Sequence, residues 1–378
     1  MKAKLLKYCV VIFSLLSAVL LNNCIDPYRP DLKDEDMQSI LVVEGLITTE
    51  AGRFEVILRR SVPLDTMVNF TEESGAQVYI LDSNGKRTEL VEMAPGTYRS
   101  LNDDDQAEVG IEYQLFITDA TGAAYESSPV TLEQSPDFGD LEWEETEVVV
   151  FVDNEAITQK AMNIYVNASD PTNETEYYQW EFSETFEVIM PGHITALDGF
   201  GMPYEATVIV PEEKKYCWVT RPQSNILVKS VASQSNSDVE KFVVLKIPEN
   251  DDRLFYRYSI EVSQYRINEE LYDFWKKLKD INETAGSLYD QVPAAVFGNI
   301  SCCDGSSKVL GFFNAVDVKR KRIFIENYEH AVPAENAYGG CTYVTDFTSY
   351  HFVNQFYARS AFCSDCRVYG SNIKPDFW

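Results

Sequence analysis

The sequence predicts a mainly β protein: an N-terminal immunoglobulin-like β-sandwich, then a larger β-rich region with one amphipathic helix and a cysteine-rich C-terminal segment. Three observations predict it. Short runs of alternating apolar and polar residues recur at roughly 8–12-residue spacing, with turn signals between them. One stretch alone switches to the helical period. Six of the eight cysteines lie after residue 216.

The elements follow in order. Lys2, Lys4 and Lys7 precede a run over residues 8–21 that is apolar apart from Ser14 and Ser17. That length suits the core of an export signal and falls short of the roughly 20 residues that span a bilayer. Leu21-Asn22-Asn23-Cys24 puts a Leu three residues before a Cys, the pattern that lipoprotein signal peptidase cleaves. Asn23 departs from the small residue usual there, and a plain secretory leader is the alternative reading. Residues 1–23 are therefore expected to be a lipoprotein signal, and Cys24 to carry lipid. Two or more acyl chains hold a protein firmly in a membrane, where one holds it only marginally. Residues 24–37, with Asp26, Pro27, Pro30, Asp31, Asp34, Glu35 and Asp36, read as an acidic tether.

Without the leader, 355 residues remain, enough for two or three domains. The formal charge of −28 becomes −31 once the three leader lysines are gone. This excess of acid argues against nucleic acid as a partner and against lying flat on an anionic lipid surface.

From residue 38 to 135 the rhythm is that of a sandwich. Residues 40–43 and 54–58 flank a Glu50-Ala51-Gly52 turn. Residues 76–81 turn back through Asp82-Ser83-Asn84-Gly85, where Asn-Gly favours the positive φ that tight hairpins need. Residues 113–117 and Asp119-Ala120-Thr121-Gly122 continue the pattern. Ser135-Pro136-Asp137 marks a boundary, and residues 136–291 read as a second β-rich domain. Its strands are expected at 148–152, 162–167, 177–188, 226–231, 242–247 and 255–264, with an irregular stretch from 191 to 211. A helix near 269–285 is expected from Asn268 as cap, Glu269 and Glu270 at its positive end, and Leu271, Phe274, Trp275 and Leu278 on one face. That stripe reads as a packing face. Residues 292–378 form the cysteine-rich segment, with strands at 309–313 and 322–326, and are expected to pack on the second domain. One elaborated domain over 136–378 is the alternative.

With Cys9 in the leader and Cys24 lipidated, Cys217, Cys302, Cys303, Cys341, Cys363 and Cys366 remain as candidate disulfide cysteines, an even number in an exported chain. Their connectivity stays open. Vicinal Cys302 and Cys303 are expected to take different partners. The spacing allows a tight loop through Cys363 and Cys366, and equally allows pairing of each to Cys302, Cys303 or Cys341. Zinc binding and a redox role for Cys363 and Cys366 are the weaker alternatives.

No catalytic residue or metal site is assigned, and no cofactor is expected. His193, His330 and His351 show no ligand spacing and read as loop or surface residues; no nucleophile elbow or phosphate-cradling loop occurs. Asp103-Asp104-Asp105 and Asn250-Asp251-Asp252 lack the alternation of a calcium loop and read as solvated turns. Asp65-Thr66-Met67 is similar to a short O-glycosylation acceptor. Aromatic residues make up 13% of the chain, with 22 Tyr and 21 Phe, and belong mostly to cores and cross-strand pairs.

Several segments in order resemble one family. They are Cys24-Ile25-Asp26-Pro27-Tyr28, Leu41-Val42-Val43-Glu44-Gly45-Leu46-Ile47-Thr48, Pro95-Gly96-Thr97-Tyr98 and Tyr216-Cys217-Trp218. Gly298-Asn299-Ile300, Val309-Leu310-Gly311-Phe312-Phe313, Cys363-Ser364-Asp365-Cys366-Arg367, Gly370 and Lys374-Pro375-Asp376-Phe377-Trp378 follow. The set is similar to the Bacteroidota lipoproteins of domain of unknown function 4249. The resemblance implies an outer-membrane lipoprotein, commonly encoded beside a starch-utilisation-type TonB-dependent transporter, with no established enzyme activity and no agreed binding residues. The expected function is therefore that of a lipid-anchored accessory protein, facing the cell surface, that captures a small ligand, glycan or peptide or modulates the transporter channel. A structural or adhesive envelope protein is the alternative.

Overall fold

The computed structural model describes residues 39–52, 54–62, 70–152, 155–190, 193–197, 203–222, 225–249, 251–284, 295–305, 308–326, 343–345, 355–358 and 364–378. The expected leader, tether and lipidated Cys24 lie outside the described residues, as do Asp65-Thr66-Met67, His330, His351, Cys341 and Cys363. Ile40–Ser61 and Phe70–Trp378 form one compact unit.

The chain opens with β1 (Leu41–Thr48), β2 (Glu55–Ser61), β3 (Phe70–Glu72), β4 (Gln77–Asp82), β5 (Arg87–Ala94), β6 (Thr97–Ser100), β7 (Glu112–Thr118), β8 (Ala124–Ser127) and β9 (Val130–Thr131). Then come β10 (Phe138–Val152), β11 (Glu155–Ala168), β12 (Tyr177–Ile189), β13 (His193–Leu197), β14 (Pro203–Val208), β15 (Tyr216–Pro222), β16 (Leu227–Ser230), β17 (Val239–Pro248) and β18 (Tyr258–Arg266). The helix α1 (Glu269–Thr284) precedes β19 (Ile300–Cys302), β20 (Val309–Val316), β21 (Lys319–Ile325), β22 (Tyr343–Thr345) and β23 (Gln355–Ala358). The fold is mainly β, as expected.

The first sheet has eleven strands, in the order β19-β8-β7-β4-β5-β6-β2-β1-β20, with β3 on β2 and β9 on β7. Strand β4 alternates between buried Val78 and Ile80 and more exposed neighbours, and β7 does the same through Tyr113, Leu115 and Ile117. The buried side chains of these strands meet in one cluster. A single sheet whose inward face closes on one core must curl over itself, which makes the module sandwich-like. Gly85, with φ of 82°, turns β4 into β5 as the Asn-Gly pair predicts.

Residues 292–378 were expected to pack on the second domain; β21 pairs with β18, β23 with β14, and Cys366 bonds Cys217 there, while β19 and β20 join the first sheet. β19 pairs with β8, and β20 pairs in parallel with β1 from Leu41↔Val309 to Thr48↔Val316. The C-terminal segment thus supplies both flanks of the first sheet. The cause is a two-sided strand. β1 turns Leu41, Val43 and Ile47 into the first core, and without β20 it would expose an edge of unpaired backbone groups.

The second module holds three further sheets, ordered β10-β11-β17, β15-β12-β18-β21 with β16 on β12, and β13-β14-β23-β22. The stretch 191–211, expected to be irregular, contains the β13–β14 hairpin, so His193 sits on a strand instead of a loop. Strand β18 is buried on both faces over most of its length, while β12 alternates between buried and half-buried positions. Their side chains, with those of β11, β15 and β17, build the largest core around Trp180, Tyr178 and Phe186. The modules meet at Asp317, which is almost fully buried. Its carboxylate accepts from the Thr49 hydroxyl (2.7 Å) and the Ser135 amide (3.0 Å). Ser135, at the predicted break, also donates its hydroxyl to the Asp317 carbonyl (2.6 Å) and accepts from the Arg266 amide (2.8 Å). Asn268 caps α1 as expected, its Oδ1 accepting from the Leu271 amide at 2.9 Å.

Candidate functional site

The side of β1 and β20 turned away from the first core faces α1, and a groove of 780 Å³ opens there. Two glycines set its floor. Gly311 sits at φ of 97°, and a Cβ on it would lie 1.8 Å from the Val43 carbonyl oxygen. Only glycine lets the two parallel backbones approach this closely. Two positions on, Gly45 pairs with Phe313, and on its core side the Phe313 ring would stand 3.0 Å from an added Cβ. Between them, Val42, Leu46, Leu310 and Phe312 line the floor with apolar surface.

Helix α1 forms the wall. Leu271, Phe274, Trp275, Leu278 and Ile281 repeat at helical spacing and all line the groove. Leu271 and Phe274 are also packed against Phe312, with the Phe274 and Phe312 rings 5.4 Å apart. The stripe read from sequence as a packing face therefore does two jobs. Its buried members fix the helix, and Trp275 and Leu278, only partly buried, present apolar surface to the groove.

Polar groups complete the lining. The Glu181 carboxylate on β12 accepts from the Tyr265 hydroxyl (3.0 Å) and from the Gln179 amide (3.3 Å). Burial, reinforced by the Glu181 charge, pushes the Tyr265 phenol well up, so it remains a protonated donor at neutral pH. On the rim, Glu44 takes Arg59 at 2.5 Å, and Glu55 takes Arg99. The described lining holds carboxylates, two carboxamides and apolar side chains, with no histidine, cysteine, serine or threonine. That set suits binding of a mostly apolar ligand with a cationic or donor group at the Glu181 end. It offers no nucleophile paired with a base. Among the described residues no cluster of three His, Cys, Asp or Glu is placed to hold a metal ion.

None of the described candidate cysteines lines the groove. Cys217 on β15 bonds Cys366, closing 149 residues, inside the largest core. Cys366 therefore forms neither the tight loop through Cys363 nor a pair with Cys302, Cys303 or Cys341, the arrangements that the spacing left open. The reason is a backbone joint. Trp218 and Ser371 exchange amide–carbonyl bonds of 2.8 and 3.0 Å, holding the C-terminal turn beside β15. A Cβ on Gly370 would stand 2.3 Å from the Trp218 carbonyl oxygen. Cys302 is buried in the first core, its Sγ donating to Asp304 Oδ1 at 3.0 Å, while Cys303 is exposed. Asp251, expected in a solvated turn, instead caps a short helical turn and pairs with Arg253 at 2.7 Å. Asp105 is nearly buried, while Asp103 and Asp104 do lie in a turn.

Sequence reasoning missed Gln179, Glu181, Glu44 and Glu55 as lining residues. The one usable signal was β1 itself, where Leu41-Val42-Val43 is apolar on consecutive positions, as a strand buried on both faces requires.

The segments that carry the family resemblance fall at joints. Asn299 donates its amide to the Phe313 carbonyl (2.8 Å) and accepts from the Phe313 amide (3.0 Å), pinning β20 beside β19. Tyr98, fully buried, donates to the Glu73 carbonyl (2.8 Å) and accepts from the Ala76 amide (3.0 Å). At the C-terminus, the Arg322 guanidinium lies 3.5 Å over Phe377, and Trp378 meets Phe324 edge-on.

Fold and joints together define a two-module, mainly β protein braced by its C-terminal segment. The family model described as "Domain of unknown function (DUF4249)" matches residues 25–322, and the chain belongs to that family. No curated protein matches it. Among solved structures, one described as "Biofilm associated protein - BSP domain" aligns at 9% identity over 81% of this chain and 62% of that chain, with a TM-score of 0.12. The chain thus spans less than two thirds of that structure, and a likeness so low carries no argument.

Proposed function

We propose that the protein is a lipid-anchored outer-membrane protein, held through lipidated Cys24 and facing the cell surface, that captures a mostly apolar ligand in the groove between β1, β20 and α1. It works beside a TonB-dependent transporter, handing ligand to the channel or modulating it. The groove carries the reading: 780 Å³ of mainly apolar lining that also holds Glu181 is a receptor's chemistry. The leader and acidic tether read from the sequence, and the family resemblance, supply the anchor and the partner.

The test is affinity purification of the tagged, lipidated protein from native outer membrane, paired with a blocked groove. Leu278→Arg places a long charged side chain on the wall at a partly buried position. The expected result is a stoichiometric barrel protein with both forms, and at least tenfold less ligand uptake with the variant. A preparation free of transporter in several mild detergents, or normal uptake with the groove blocked, overturns it.

A further inference from the structure

Strands β10 and β11 are 15 and 14 residues long, yet β17 covers β11 only from Ala161 to Ala168. The last bond to the neighbouring chain is the Glu249 amide to the Lys160 carbonyl, 3.0 Å. Beyond it, Glu147–Val152 and Glu155–Lys160 run on as a two-stranded ribbon. An isolated hairpin is marginal in water, and this one has the wrong surface for solvent.

The register shows why. Leu141, Met162, Ile164 and Val166 share one face and are buried in the second core. The same face continues outward through Val149 and Phe151, which are 62% and 77% exposed. On the opposite face Val150 pairs with Ile157, itself 42% exposed. Val148-Val149-Val150-Phe151-Val152 is thus apolar on both faces, the pattern of a strand covered on both sides. Below the tip the ribbon is acidic. On β10 stand Glu142, Glu144, Glu145 and Glu147, of which Glu144 meets Lys241 at 2.7 Å and Glu145 meets Lys160 at 3.5 Å.

We infer that this ribbon is a docking arm, whose apolar tip enters a cleft on a partner protein while its glutamate collar meets Lys and Arg at the cleft's rim. The charge selects the occupant. A second copy would bring an equally acidic ribbon, and an anionic lipid surface would repel the collar. A basic-rimmed apolar cleft satisfies both parts at once. The arm is a different surface from the groove and stands without the reading given above.

The test uses the full-length protein in its native envelope, with a photo-crosslinking amino acid replacing Phe151 and, as control, Ile373, which is equally exposed at 77%. Adducts are mapped by mass spectrometry. Expected are peptides from one protein at Phe151 and not at Ile373, apolar and flanked by Lys or Arg. Placing E142K and E147K in the same chain lowers the yield about tenfold. Phe151→Ser, tested separately, leaves the thermal midpoint unchanged, separating docking from folding. A lipid adduct, a crosslink to a second copy, the same adducts at both positions, no adduct, or a yield indifferent to the charge reversal overturns the inference.

Discussion

The two modules bury an aspartate in the same Asp-x-Thr turn but close their sheets by different means. Asp119 Oδ1 accepts from the Thr121 amide (2.9 Å) and hydroxyl (2.7 Å), and its Oδ2 meets Arg60 at 2.6 Å. Asp170 Oδ1 accepts the same pair from Thr172 at 2.9 and 2.7 Å, and its Oδ2 takes the Thr175 amide and hydroxyl instead of an arginine. The larger difference lies at the sheet edges. The first module is completed without a covalent bond, by β20 lying against β1 where glycine permits it. The second is tied by Cys217–Cys366. One module is therefore vulnerable to a methyl group, and the other to a reductant. All five tryptophans lie at position 143 or later, so tryptophan fluorescence reports on the second module and α1, and hydrogen exchange of β4 and β7 reports on the first module.

Gly311→Val gives the largest expected effect. Its side chain would overlap the Val43 backbone and force β20 off β1, costing more than about 5 kcal/mol in urea denaturation. Gly85→Ala is the control: it also sits at positive φ but in open space, and should cost about 1–2 kcal/mol. Equal losses from the two would show that the β1–β20 joint holds nothing.

Replacing Cys217 and Cys366 with serine comes next. Opening a 149-residue loop costs about 5 kcal/mol in the chain-entropy model. The fluorescence transition should move to lower denaturant while the exchange protection of β4 and β7 in the first module moves less. Coincident shifts of equal size would merge the two modules into one cooperative unit.

Asp119→Ala should cost about 3 kcal/mol, since it unties the turn and removes one of the two carboxylates beside Arg60, which also meets Glu73 at 2.7 Å. A loss below about 1 kcal/mol, measured by thermal unfolding, would reduce the turn to ornament.

The smallest effect is a pH dependence. Burial alone would raise the Asp170 carboxyl, but hydrogen bonds from Thr172 and Thr175 outweigh it and hold the group at about 2, against an ordinary 3.8. With the folded value depressed, its stabilisation is complete above about 3.8 and is lost as pH falls through about 2. It amounts to about 2 kcal/mol. Asp119 is also held low, by Thr121, Ala123 and Tyr125 against the effect of burial, and contributes in the same direction. Asp170→Asn should flatten the acid limb between pH 4 and 2 relative to the parent, on the order of the same 2 kcal/mol. An unchanged limb assigns the acid sensitivity to other carboxylates.

What was legible in the sequence was local. The alternation of β4 and β7, the Asn84-Gly85 turn, the break at Ser135 and the helix with its Asn268 cap each depend on neighbours within a few positions. The long β10–β11 ribbon was read as two separate short strands. Its acidic base, Glu142 to Glu147, breaks the apolar pattern although the backbone pairing runs straight through it. The β13–β14 hairpin was hidden by Pro and Gly residues that looked like loop punctuation. Partnerships across the chain were not legible: Cys217 with Cys366, β20 with β1, and Glu181 with the face of α1. Each is set by the packing of whole sheets, which no window of neighbouring residues contains. The segments that carried the family resemblance turned out to mark such partnerships, since Asn299, Gly311 and Gly370 each hold a backbone from elsewhere.

The parallel seam also sets an order of events in the making of the chain. Leu41 and Val309, like Thr49 and Asp317, are 268 positions apart. At roughly 5–20 residues per second, that interval is on the order of tens of seconds of synthesis. Throughout it, the first strand to emerge has one flank unclaimed, an open template for pairing with any other nascent chain. The high sequence separation of this contact also makes it slow to form once both halves exist. A nascent chain shorter than about 316 residues therefore lacks the strand that seals its own beginning, so a premature stop near the C-terminus injures the N-terminal sheet before it removes anything from it.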